Sequence, residues 1–363
     1  MENPDIKDSL IKIIQLSLVL ATSLLGLLFF ISFYIVFSAR ITSYFAPKKM
    51  TGTKVNVIIN NEVKDDFWIA PDIASLTDIS QKSQLEYGKA LISHTADFFG
   101  PNGKVSKNAT NGMNCQNCHL DAGTKVFGNN YSAVYASYPK YRARSGTVEN
   151  IYKRVNDCFE RSLNGQALDT AAKEMQAMVA YINFVGKNVP KGEKPKGSGF
   201  KDMAFLDRAA DPITGKLVYG QKCANCHQAN GEGVLNPEKT AFTFPPLWGK
   251  KSYNSGAGLY RLSNFAKYAK YNMPLGASHS NPQLSDEEAW DVAAFVNSQP
   301  RPSIDIKKDW PKIDEKPFDH PFGPFADGFT ENQHKYGPFN PIKERLDSIK
   351  KAKEKTKAAV AVR

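Results

Sequence analysis

At 363 residues, with 42% hydrophobic and 23% charged residues, the chain has the composition of a folded protein of two or three domains, which excludes a disordered polypeptide. The formal charge of +11 is compatible with nucleic acid, anionic lipid or small anions as partners. Much of the excess lies in GKNVPKGEKPKGSG at 186–199 and KERLDSIKKAKEKTKAAVAVR at 343–363, and the plain reading of each is a solvated run of charge.

In chain order, the first element is LSLVLATSLLGLLFFISFYIVFS at 16–38, which carries no charge. About 20 apolar residues cross a bilayer. A cleaved signal has a shorter apolar part, about 7–15 residues, and ends at small side chains. Here VFSAR sets Phe37 where a small residue is wanted. An uncleaved transmembrane helix is therefore expected at 13–38, after a cytoplasmic segment at 1–12. Basic residues do not orient it, because Lys7 and Lys12 precede it while Arg40, Lys48 and Lys49 follow. Residues 39–82 read as a linker.

Beyond it lies a degenerate repeat. Each copy has a lead-in helix with a Tyr-Gly (LEYGKALISHT at 85–95, GKLVYGQKC at 215–223), then Cys-x-x-Cys-His, then a long connection holding SYPKY or FPPLWGKKSY. Each closes on an amphipathic helix, AAKEMQAMVAYINFV at 171–185 and DEEAWDVAAFVNS at 286–298. In the latter Trp290, Ala293 and Ala294 share a face, and Ser285 with Glu288 forms a capping box. The repeat defines domains at 83–187 and 205–300, joined by a linker at 188–204. In 301–363, HPFGPF and KYGPFNP read as chain that wraps a surface without forming helices, and the basic end as a helix or a disordered tail.

Cys115, Cys118 and His119, and again Cys223, Cys226 and His227, form the attachment signature of c-type haem. Two thiols at this spacing reach the vinyl groups of one haem, and the adjacent histidine becomes the proximal iron ligand. A zinc site wants more ligands at ligand spacing, and a redox dithiol does not need the histidine. Two covalently bound haem c groups are expected. A lead-in helix crossing a closing helix beside such a haem implies a mainly α fold, two class I cytochrome c domains in tandem after an N-terminal transmembrane helix. C-type haem is attached outside the cytoplasm, so a single-pass protein of the cytoplasmic membrane with periplasmic domains is expected, and nucleic acid is excluded as a partner.

In the second domain Met273, in AKYNMPLG, is the expected sixth iron ligand, with Lys270 a nearby competitor and core packing the alternative. The first domain has no Met-Pro. Met175 and Met178 fall in the closing helix at core spacing, whereas Cys158 occupies the stretch that Met273 occupies in the other copy. Arg154 and Arg161 flank it and favour a thiolate. Cys158 is read as the iron ligand, a metal-binding thiolate, or else as an inert buried thiol.

RVNDCFERSLNG at 154–165, downstream of NGMNCQNCHLDAG and followed by YNMPLG, resembles the dihaem thiosulfate dehydrogenase family over roughly residues 65–300. The resemblance implies a catalytic haem with a His119/Cys158 pair, where two thiosulfates are joined into tetrathionate, and a second haem that relays electrons. It implies that Cys158 is the active-site ligand and that Arg154, Arg144 and Ser162 help bind the sulfur oxyanion, with haem propionates as an alternative partner for the arginines. Asn272 stands where some members have a lysine, so stable His227/Met273 ligation is expected. The resemblance leaves the direction open, so tetrathionate reduction is the reverse reading. The anchor and carboxy-terminal extension suggest the bilayer and a respiratory-chain donor or acceptor, a cytochrome or oxidase complex, as partners. The alternative is a tethered dihaem electron carrier with no catalysis of its own.

Overall fold

The protein is described from a computed structural model over residues 15–18, 20–34 and 66–361. The chain divides into two units, Met1–Val63 and Lys64–Arg363. The first contains α1, Gln15–Tyr34, a 20-residue helix of mean hydropathy 2.3 with none of its side chains buried. At 1.5 Å per residue it is about 30 Å long, the thickness of a hydrocarbon core. The expected cytoplasmic segment and most of the 39–82 linker lie outside the described residues.

The second unit holds two helical domains in tandem. In the first, α2 (Ile79–Ser93) starts at Asp78, whose carboxylate accepts from the Gln81 amide at 3.0 Å. Short α3 (Thr95–Phe99), α4 (Leu120–Gly123) and α5 (Val134–Ser137) follow. A small antiparallel hairpin, β1 (Lys140–Arg142) with β2 (Thr147–Glu149), pairs Lys140 with Glu149 and Arg142 with Thr147. Asn150 caps α6 (Ile151–Arg161), and α7 (Lys173–Val185) closes the domain. The second domain runs α8 (Pro212–Lys222), α9 (Ala224–His227), the hairpin β3 (Val234–Leu235) and β4 (Phe242–Phe244), then α10 (Leu262–Asn272) and α11 (Asp286–Ser298). The Ser285–Glu288 capping box is present at the start of α11.

Lead-in and closing helices cross in both copies, and a glycine permits each crossing. A Cβ at Gly88 would lie 2.1 Å from the Ala177 carbonyl oxygen, and one at Gly215 would lie 1.8 Å from that of Asp291. The corresponding residues are thus the Gly-Lys pairs Gly88-Lys89 and Gly215-Lys216. The second copy of the Tyr-Gly signature ends at Gly220, beside which there is open space. Each domain has its own core, the first around Leu91, Phe99, Phe159, Met175 and Tyr181, the second around Trp290, Val292, Ala293 and Ile342. Phe242 of the second domain's hairpin joins the first core. Across the boundary Tyr268 Oη donates to the Asn117 carbonyl (2.6 Å), and the Asn254 amide donates to that of Arg161 (3.0 Å).

Two segments differ from their sequence reading. The stretch read as a linker is built into the first domain: the Phe127 and Asn129 amides donate to the carbonyls of Gly197 and Gly199, and the Ser198 and Ser132 hydroxyls lie 2.6 Å apart. Its glycines expose backbone acceptors that the loop after the first haem motif needs. The segment after Pro300 does wrap the surface, but it also forms α12 (Glu331–Tyr336) and α13 (Asn340–Ala361), and it delivers Phe339 and Ile342 into the second core. The basic end of the chain takes the helical alternative, carried in as the continuation of a packed turn.

Candidate haem cavities and active site

Each Cys-x-x-Cys-His motif faces a cavity. The first encloses about 420 Å³ and is lined by Cys115, Cys118 and His119; the second encloses about 310 Å³ and is lined by Cys223, Cys226 and His227. His119 Nδ1 is 2.6 Å from the Asn129 carbonyl oxygen and His227 Nδ1 is 2.8 Å from that of Pro245. In each ring Nδ1–H therefore donates and Nε2 keeps its lone pair for a metal. Burial lowers both imidazole pKa values, that of His119 to about 4, so the ligand-competent neutral ring is the resting form.

The distal walls differ. In α6, Arg154, Cys158 and Ser162 follow at intervals of four residues, so they share a face, and all three line the first cavity. The electrostatic interaction with Cys158 is the leading cause holding the Arg154 guanidinium above the usual arginine range. Across the cavity, Lys140 and Arg142 lie two residues apart in β1 and both face inward, while Lys194 comes from the segment read as a linker. Partial burial, then Arg142, Arg154 and Lys194, hold Lys140 below the ordinary lysine range. Sequence reasoning missed Lys140, Arg142 and Lys194; the alternation of β1 was the available signal for the first two.

Arg144 sits elsewhere. It lies beyond the end of β1 and does not line the cavity. Its Nε is 4.0 Å from Asp309 Oδ2, and its guanidinium lies 5.7 Å from the Trp310 ring centre. Burial, then the neighbouring Arg161 and Arg154, lower its pKa to about 10. Arg161 also turns from the cavity, making a two-pronged bond to Asp309 at 2.8 and 2.9 Å.

The second cavity is largely apolar. Met273, the residue that ends α10, lines it together with Leu247, Phe265 and Val296. Lys270 pairs instead with Asp286, and Lys222 with Glu288 at 2.8 Å. Asn272 is buried and its side-chain amide donates to the Phe127 carbonyl at 3.2 Å, across the domain boundary. In the first domain Met178 lines its cavity, whereas Met175 is core. Cys118 lines both cavities.

These residues suit two covalent haems. All five cysteines are free thiols, each motif presents its pair beside a neutral imidazole, and further sulfurs stand on each wall, Cys158 and Met178 in the first cavity and Met273, Met113 and Cys118 in the second. Two family models match the chain, the SoxA/TsdA cytochrome c domain over residues 105–190 and cytochrome c over residues 213–300. The protein is accordingly a dihaem c-type cytochrome with two tandem cytochrome c domains. It is 36% identical over 247 residues to the thiosulfate dehydrogenase of Psychrobacter arcticus, an alignment covering 67% of this chain and 72% of the relative. It is 38% identical over 240 residues to that of Allochromatium vinosum, covering 64% of this chain and 83% of the relative. The chain belongs to the thiosulfate dehydrogenase family and is an oxidoreductase of that kind. Among solved structures, the thiosulfate dehydrogenase TsdBA of Marichromatium purpuratum is similar, with a TM-score of 0.61 and 28% identity over 76% of this chain; the match spans 54% of that longer chain.

Proposed function

We propose that the protein oxidises thiosulfate to tetrathionate in the first cavity, with His119 and Cys158 as one iron-ligand pair and His227 and Met273 as the other, the second site relaying electrons to a membrane-linked acceptor. The observation that carries this reading is the face of α6, where a free sulfur stands between a guanidinium and a hydroxyl on the wall of a haem cavity. Each haem supplies, when bound, a one-electron acceptor, matching in number the two electrons released.

Two thiosulfate dianions form one S–S bond, give up two electrons and leave a single dianion; no proton moves. The obstacle is repulsion. Unit charges 4 Å apart in a partly screened site repel by about 4 kcal/mol, and a pair of dianions by roughly four times as much. Arg154, Arg142, Lys140 and Lys194 bring the cations that offset this. Arg154 offers a planar fork to the sulfonate oxygens, and Ser162 donates a hydroxyl hydrogen bond from the same face. Cys158 presents sulfur to the incoming sulfur beside Arg154. Arg144, held by Asp309, acts on this cavity at one remove. Relay to the second site is supported by Cys118, which belongs to both cavity walls. Tethering to a membrane is supported by the length and apolarity of α1, and the periplasmic side by the two c-type haem motifs.

The test is thiosulfate-dependent dye reduction, with tetrathionate measured as product, by purified holoprotein and by Cys158→Gly. Both haems should remain attached and the second site's spectrum unchanged, while turnover falls by about 10²–10⁴. A variant that turns over at the parental rate would overturn the reading and favour a pure electron carrier.

A further inference from the structure

The extension after residue 300 lies beyond both cytochrome family models. Its stretch 309–315 runs along the outer side of the β1–β2 hairpin. Tyr141, whose neighbours Lys140 and Arg142 face the cavity, donates its hydroxyl to Glu315 Oε2 at 2.6 Å. The Trp310 amide donates to the Arg144 carbonyl at 2.7 Å. Pro311 packs so closely on Gly146 that a Cβ there would lie 2.6 Å from its Cγ. Asp309 takes the Arg161 fork and lies beside Arg144, so one carboxylate joins the hairpin side to α6.

The hairpin needs this support. Its strands have three residues each, and a two-stranded ribbon is marginal by itself. Its inner face carries Lys140 and Arg142 beside Arg154, a like-charge cluster that Glu149 of β2, 3.8 Å from Arg142, offsets only in part.

We propose that this segment is a strap that completes the substrate site, with Asp309 a positioning residue: by holding Arg144 and Arg161 together it fixes the hairpin over α6, and so sets Lys140 and Arg142 at the distance a dianion requires. The proposal rests on the first cavity being the thiosulfate site. Asp309 touches neither substrate nor haem; it acts through the two arginines, and Tyr141 with Glu315 provides a second, weaker hold.

The experiment measures thiosulfate binding calorimetrically to oxidised holoprotein on a Cys158→Gly background, where turnover does not interfere, and kcat and KM on the parent. Asp309→Asn keeps the side chain's shape and removes its charge. Thiosulfate Kd and KM should rise roughly tenfold or more, as expected for loss of a charged hydrogen-bonded pair, with kcat within about threefold. Asp309→Glu should recover part of the loss. Tyr141→Phe, at an exposed bond, should raise Kd by roughly two- to threefold, and decides the matter if Asp309→Asn does not fold. Arg142→Gln separates the two readings. If it weakens binding while Asp309→Asn and Tyr141→Phe leave Kd unchanged, the strap is overturned and the site stands. If Arg142→Gln also binds as the parent does, both fall.

Discussion

The two haem cavities are built on the same frame and finished differently. Both have a lead-in helix and a closing helix crossing at a glycine, a Cys-x-x-Cys-His motif, and a histidine whose Nδ1 is occupied by a backbone carbonyl. Against the first stand Cys158, Arg154, Ser162, Lys140 and Arg142; against the second, Met273 with leucine, phenylalanine and valine. The second cavity's nearby lysines pair with Asp286 and Glu288; at the first, Arg142 lies 3.8 Å from Glu149, while Lys140 and Arg154 also stand on the wall. A shared frame thus carries two different walls opposite the histidine, one lined by charged side chains and a thiol, the other by apolar packing around a thioether.

The sharpest way to break this contrast is to give the first cavity the second's sulfur. Cys158→Met should retain both haems and lower thiosulfate turnover by about 10²–10⁴, measured by dye-coupled kinetics; an active variant would mean that the thiolate is not what separates the two walls. The extension gives a pH test through His320, whose ring lies 5.5 Å from that of Trp310 in the strap. Burial lowers the pKa of His320 from 6.5 to about 4, so its neutral form is favoured in the fold. Stability should be full above pH 6.5 and fall as pH drops toward 4, by about 3 kcal/mol in the limit, since each pKa unit is worth about 1.4 kcal/mol. Urea unfolding at several pH values should record this fall, and His320→Gln should flatten it.

Arg154→Gln tests the cations themselves. Thiosulfate KM should rise by about 10–100-fold, the worth of a charged hydrogen bond, while Lys222→Gln, at the second cavity, should leave KM unchanged. Smallest are the helix crossings. Gly88→Ala and Gly215→Ala should each destabilise its own domain by about 1–3 kcal/mol, because the methyl meets backbone. Gly220→Ala, on exposed helix, should gain up to about 1 kcal/mol. Equal effects at Gly215 and Gly220 in thermal unfolding would remove the correspondence between the two frames.

What could be read directly from the sequence was local. The haem motifs, the capping box at Ser285 and the closing helices follow from spacings within a few residues. What escaped depends on contacts between distant segments. Lys194 and its neighbours look like solvated charge, because only the folded chain reveals the amides that seek Gly197 and Gly199. That Arg144 lies 4.0 Å from Asp309, 165 positions later, is likewise invisible to local spacing. The strap has no periodicity to read, being held by single residues reaching back to earlier elements.

That distance in sequence sets an order of events. Arg161 and its partner Asp309 are 148 residues apart. At roughly 5–20 residues per second of synthesis, the partner emerges on the order of ten seconds later. The pair therefore cannot form before residue 309 has been made, so the first domain's helices and hairpin are laid down before the contact that joins them.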